Sequence, residues 1–173
     1  MTSAVCRWQV IHADEDSWIS QRACQFGDGL FETVATRAGR PCLWDRHLAR
    51  LALGCERLGL AEPDYDELTA SLGAAVAGHS SLGIKLFWTA GPSRRGYARP
   101  AGSRPTGALQ RFAWAVPDTM TRMQITVCRH RLSENPALCG IKHLNRLDQV
   151  LGRRDWDDPD VAEGVMLGQD GRV

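Results

Sequence analysis

The chain has 173 residues, 43% of them hydrophobic, which suffices for one medium domain or two small ones with a real core. Its 21 basic and 20 acidic residues leave a formal charge of +1, so no broad field favours nucleic acid or an anionic membrane surface. No stretch approaches the roughly 20 apolar residues needed to span a bilayer, and the opening "MTSAVCRWQVIHADED" does not read as a secretory leader, so a cytoplasmic protein is expected.

Residues 6–11, "CRWQVI", and 30–37, "LFETVATR", are rich in β-branched and aromatic residues. "AGRP" at 38–41 reads as a turn into "CLW", so the chain is expected to open with an antiparallel sheet. Asp45 is placed to cap a helix whose apolar residues Leu48, Leu51, Ala52, Cys55 and Leu58 recur at helical spacing as far as Gly59. A second stripe on that helix, His47, Arg50, Gly54 and Arg57, reads most simply as a solvated basic face. Pro63 and Asp64 open another helix with Leu68, Leu72 and Val76 four residues apart, and "GIKLFWTAG" at 83–91 returns as a strand. Strands, two helices and a returning strand make an α+β layer.

"GPSRRGYARPAGSRPTG" at 91–107 is dense in Gly, Pro, Ser and Arg and reads as a long loop and domain linker. Residues 1–107 are therefore expected to form a small N-terminal α+β domain, and 108–173 to begin a larger β-rich one. Strands around "RFAWAV" (111–116) and "MQITVC" (123–128) mark the expected second sheet. "EGVMLGQDGRV" reads as a strand, a tight turn at Asp170-Gly171 and only two residues of a returning arm. A hairpin so short leaves backbone groups unpaired, and the second domain is expected to be truncated.

Cysteines at 6, 24, 42, 55, 128 and 139 form no CxxC and no Cys/His cluster, so buried free thiols are expected and no metal site. Arg94, Arg95, Arg99 and Arg104 crowd the linker, but balanced charge and the lack of interleaved aromatics argue against nucleic acid.

The basic residues are 19 arginines and two lysines, Lys85 and Lys142. A lysine kept against that habit points to amine chemistry. Lys142 stands in "GIKHLNRLDQVLGR" (140–153), where Leu144, Leu147, Val150 and Leu151 share one face of an expected helix that begins beside it. A nucleophilic amine must be neutral, and an unperturbed lysine is neutral in only about one molecule in 2,500 at pH 7. The positive helix end contributes at most about 2 kcal/mol toward neutrality, so desolvation or a neighbouring cation must supply the rest. Lys85 also follows Gly-Ile but lies within a strand, and is expected to be structural, its amine reaching the sheet edge or solvent.

The segment "GIKHLNRLDQVLGR" resembles the lysine segment of the fold-type IV pyridoxal phosphate enzymes, and within them most closely that of the aminodeoxychorismate lyases. "QFGDGLFETV" (25–34), "RHLARL" (46–51) and, more weakly, "RRGY" (94–97) agree in order and spacing. The resemblance implies a two-domain α+β architecture, a small N-terminal α/β sandwich followed by a larger β-rich domain. It implies that Lys142 condenses with the aldehyde of pyridoxal 5'-phosphate and that Arg50 holds the cofactor phosphate. It also implies that Phe31 faces the substrate, and that Arg95 and Tyr97 reach an active site from a loop, commonly that of the partner subunit in a homodimer. His143 is left outside the site. The reaction implied is conversion of 4-amino-4-deoxychorismate to 4-aminobenzoate and pyruvate, a step toward folate. The resemblance puts the acid that pairs with the pyridine nitrogen past Val173. The alternatives are a branched-chain or D-amino acid aminotransferase of the same fold type, or a non-catalytic relative.

Overall fold

Strict alternation along "GLFETVATR" sets the central strand. In β1 (Gly29–Arg37), Leu30, Glu32, Val34 and Thr36 turn to one face and are almost fully buried, while Phe31, Thr33 and Ala35 turn to the other. The structure is a computed structural model that describes residues 18–93, 95–114 and 122–173. The expected strand at 6–11 lies outside those residues.

A short helix, α1 (Arg22–Phe26), leads into β1. The turn at Ala38-Gly39, both at positive φ, folds the chain back into β2 (Arg40–Pro41), as "AGRP" predicts. β3 (Ser81–Thr89) pairs with β1 along its whole length, from Gly29 opposite Thr89 to Arg37 opposite Ser81. β4 (Thr106–Phe112) adds to the far edge of β3, giving an antiparallel sheet of order β2-β1-β3-β4. Residues 111 and 112, expected in the second sheet, thus belong to the first, which continues past residue 107. Residues 115 and 116 lie outside the described residues.

Helices α2 (Trp44–Leu58) and α3 (Tyr65–Val76) supply the apolar partners of the covered face. Leu30, Leu51, Cys55, Leu60, Leu86, Ala90 and Ile141 form one cluster, and Val34, Leu72, Val76 and Ile84 another. Asp64 caps α3 as expected, accepting hydrogen bonds from the backbone N–H of Asp66 and Glu67 at 3.0 Å each. Asp45 does not cap α2. That helix starts two residues earlier than such a cap implies, behind Leu43 at φ 53°, and Asp45 sits within the first turn, where its charge still suits the positive end. Gly59 ends α2 in the left-handed conformation, as the sequence predicts.

A second sheet exists, but of the strands expected to mark it only β5 (Gln124–Arg131) takes part; it pairs in parallel with β6 (Val161–Leu167), the two joined through α4 (Leu147–Arg153). Cys128 of β5, Gly152 of α4 and Trp156, just past α4, are buried here. Of the five described cysteines, all free, Cys55 and Cys128 are buried, whereas Cys24 and Cys139 are exposed, against the expectation of buried thiols throughout. Among the described residues no helix is long and apolar enough to cross a membrane.

Candidate active site

Lys142 is carried by an extended segment, and the expected helix start beside it is absent. The Phe31 N–H donates to the Lys142 carbonyl at 2.9 Å, and the Leu144 N–H to the Gly29 carbonyl at 3.0 Å, so residues 142–144 run antiparallel to the first residues of β1. α4 begins only at Leu147. The two glycines of "FGDG" make this approach possible. Gly27 sits at φ +64°, and a Cβ there would meet the Asn145 side chain at 2.7 Å; at Gly29 a Cβ would stand 2.8 Å from the Trp88 carbonyl oxygen and 3.0 Å from Leu144. The apolar face expected on the helix after Lys142 is not buried: Leu147, Val150 and Leu151 are 74%, 55% and 42% exposed.

The outward face of β1 holds the chemistry. The Lys142 Nζ lies 4.6 Å from the centroid of the Phe31 ring. Lys85, opposite Thr33 and two residues from Phe87, projects from the same face of the sheet, its Nζ 5.1 Å from both the Phe31 and Phe87 rings. The guanidinium of Arg146 stands 5.4 Å from Phe31. Lys85 therefore lies in a strand as expected, and its amine stands over the same Phe31 ring as that of Lys142. Burial is the main cause that pushes the Lys142 amine below the ordinary lysine range. Glu32 opposes the shift, while Arg50, Arg146 and Lys85 add to it. Desolvation and neighbouring cations do what the sequence reading had shared with a helix end.

Behind β1, Glu32 is 1% exposed and draws two residues of α2 toward the sheet. Arg50 donates to both of its oxygens, through Nε to Oε1 at 2.7 Å and Nη2 to Oε2 at 2.5 Å, and the His47 Nδ1 lies 2.7 Å from the same Oε2. The stripe of His47, Arg50, Gly54 and Arg57 is thus only in part a solvated face: Arg50 and Arg57 are exposed, while Gly54 is buried. Gly54 packs under Leu30, and Arg57 donates to the Cys139 carbonyl at 2.6 Å, tying α2 to the lysine segment. The hydrogen bonds that Arg50 donates to Glu32 push its proton affinity further up. Its side chain remains 44% exposed.

The 95–99 loop is pinned from below. Arg22, 3% exposed, donates to the carbonyls of Gly96, Tyr97 and Ala98 and to Asp28; Arg99 grips the other Asp28 oxygen at 2.6 Å. Burial raises the Asp28 carboxyl, but the hydrogen bonds and charges of Arg99 and Arg22 together outweigh it and leave it below its ordinary value. The Tyr97 side chain is exposed, with its ring 5.4 Å from Phe26, and Arg95 is exposed. Among the described residues no hydrogen bond, ion pair or ring contact joins either one to Lys142, Phe31 or Arg50.

The sequence reading thus missed Glu32, Lys85, Arg146 and the Arg22–Asp28–Arg99 knot. Alternation offered one signal: Glu32 is in phase with Leu30 and Val34, and an acid in a buried row requires a cation.

The family model for class IV amino-transferases matches residues 29–173. An aminodeoxychorismate lyase of Vibrio harveyi is 29% identical over 158 residues, 90% of this chain and 58% of that protein. A bifunctional aminodeoxychorismate lyase / D-amino acid transaminase of Mycobacterium tuberculosis is 33% identical over 102 residues, 56% of this chain and 31% of that protein. The crystal structure of 4-amino-4-deoxychorismate lyase from Pseudomonas aeruginosa superposes with a TM-score of 0.77 at 41% identity, covering 90% of this chain and 58% of that one. The chain thus spans a little under three fifths of the Vibrio and Pseudomonas proteins. With a matching model over most of its length and a fold shared with these structures, the chain belongs to the class IV amino-transferase family, the fold-type IV enzymes.

Proposed function

We propose that the protein is a pyridoxal 5'-phosphate-dependent lyase that converts 4-amino-4-deoxychorismate to 4-aminobenzoate and pyruvate. The observation that carries this reading is the Lys142 amine, partly buried against Phe31, with its proton affinity lowered by burial and by three cations. An amine that must condense with an aldehyde needs that bias. The residues also suit the rest of the cofactor. Arg50 is aimed by a buried carboxylate and keeps an exposed guanidinium edge for phosphate oxygens, and Phe31 offers a flat apolar face. The 41% identity to a lyase of known structure favours this substrate over others.

When bound, the cofactor supplies an electron sink for the bond broken at the carbon bearing the amine. Lys142 is the residue that would hold the cofactor, and its amine, once free, would take the proton from that carbon. Loss of the enolpyruvyl group, protonated to pyruvate, leaves an aromatic ring. Phe31 bounds the substrate on one side, and Arg95 and Tyr97 act from their loop, in a homodimer, on the active site of the partner subunit. A cytoplasmic enzyme supplying 4-aminobenzoate for folate fits the whole.

The test is product identity. Given aminodeoxychorismate and the cofactor, the protein should release pyruvate, read with lactate dehydrogenase and NADH. Formation of keto acids from branched-chain or D-amino acids with no pyruvate from aminodeoxychorismate would reject the lyase. The D-amino acid transaminase reading is kept as second because the Mycobacterium relative carries both activities in its name.

A further inference from the structure

We propose that Lys85 and Arg146 form a seat for the carboxylate on the substrate's ring, with that ring laid against Phe31. The proposal rests on the lyase reading and adds residues that it does not assign.

Both lysines of a chain otherwise committed to arginine converge on one aromatic ring, with Nζ atoms 4.6 and 5.1 Å from its centroid. Lys85 makes no hydrogen bond or ion pair among the described residues; its neighbours are the rings of Phe31 and Phe87. Arg146 donates only to two backbone carbonyls, those of His143 at 2.8 Å and Ile141 at 3.4 Å, so its charge meets no acid. Glu32, which acts on Lys142 from behind the strand, is already gripped by Arg50 and His47. Two cations, Lys85 and Arg146, thus stand at Phe31 beside the Lys142 amine without a carboxylate of their own, and like charges held together in partial burial repel one another. An anionic ligand relieves that repulsion. The cofactor phosphate falls to Arg50, which leaves Lys85 and Arg146 for a further anion. Phe31 adds the surface on which a flat ring stacks. One lysine then reacts while the other anchors, both on a single ring.

The test measures 4-aminobenzoate binding to the cofactor-loaded intact protein by calorimetry, with aniline, pyruvate and pyridoxal phosphate as separate probes. Lys85→Met should weaken 4-aminobenzoate about 10- to 100-fold, the range for losing a charged hydrogen-bond partner. Aniline, pyruvate and the absorbance band of the bound cofactor should be unchanged, and KM should rise far more than kcat falls. Lys85→Arg should restore most of the affinity. Should Lys85→Met fail to fold, Lys85→Gln, uncharged and polar, runs the same comparison. Weakening of pyridoxal phosphate or of pyruvate in place of 4-aminobenzoate, or no change with any probe, overturns the proposal. A wild-type protein that releases no pyruvate defeats the lyase reading alone, and the preference for 4-aminobenzoate over aniline still decides the seat.

Discussion

The two sheets carry similar sequence patterns and meet opposite fates. In the first, Leu30, Val34, Ile84 and Leu86 alternate into a covered face and are at most 2% exposed; in the second, Ile125 and Val127 alternate equally well yet are 59% and 60% exposed. The helices repeat the contrast. α2 buries Leu51 and Cys55 against its sheet, whereas α4 leaves Leu147, Val150 and Leu151 in the open. Periodicity marks which side of an element seeks cover. Whether cover arrives depends on a second layer, which a strand or helix cannot supply from its own residues. The site follows the same division. Lys142 lies late in the chain but borrows its position from β1, through two backbone hydrogen bonds and two glycines.

The contrast is most sharply broken at Ile84. Ile84→Ala should cost about 2–5 kcal/mol by urea unfolding, as for a large-to-small change in a closed core. Val127→Ala should stay within about 0.5 kcal/mol, the range for surface substitutions. Equal losses at the two positions would mean that the second sheet is covered as fully as the first.

Gly29→Ala comes next. It drives a Cβ against the Trp88 carbonyl and should destabilise by about 1–3 kcal/mol, as overpacking does. Because Leu144 must also move, it should lower the yield of covalently bound cofactor, read by absorbance. An unchanged yield would separate the lysine segment from β1.

Thiol labelling sharpens the comparison further. Cys24 and Cys139 should react at once with a thiol reagent at pH 8, and Cys55, pushed up to about 11 mainly by burial, only on unfolding. Cys128 is buried in the less covered sheet and should be labelled at lower urea than Cys55. The reverse order would make the second sheet the more stable one.

The smallest effect concerns Asp28, whose folded pKa lies below the ordinary 3.8. A depressed carboxylate contributes stability that is full above the unfolded value and is lost as pH falls through the folded one. Wild type should therefore lose stability below about pH 4 more steeply than Asp28→Asn. Parallel pH profiles would deny the Arg22–Asp28–Arg99 knot its role in holding the 95–99 loop.

Much of the first layer was legible because its signals are local: alternation in β1, the turn at Ala38-Gly39, the Asp64 cap and the Gly59 stop each depend on neighbours in sequence. Lys142 was legible by its rarity and by resemblance. Its surroundings were not. The pairing of Glu32 with His47 and Arg50, and the convergence of Lys85 and Arg146 on Phe31, depend on strand register and on contacts between distant segments. The helix supposed to start at Lys142 failed because 142–144 bond to β1, a tertiary contact that outweighs local periodicity.

The most direct test is to load the protein with pyridoxal phosphate, reduce it with borohydride, digest it and locate the attached mass. The pyridoxyl group should sit on the peptide carrying Lys142, because burial and three cations favour its neutral amine. A label on Lys85, or on neither lysine, would contradict the account.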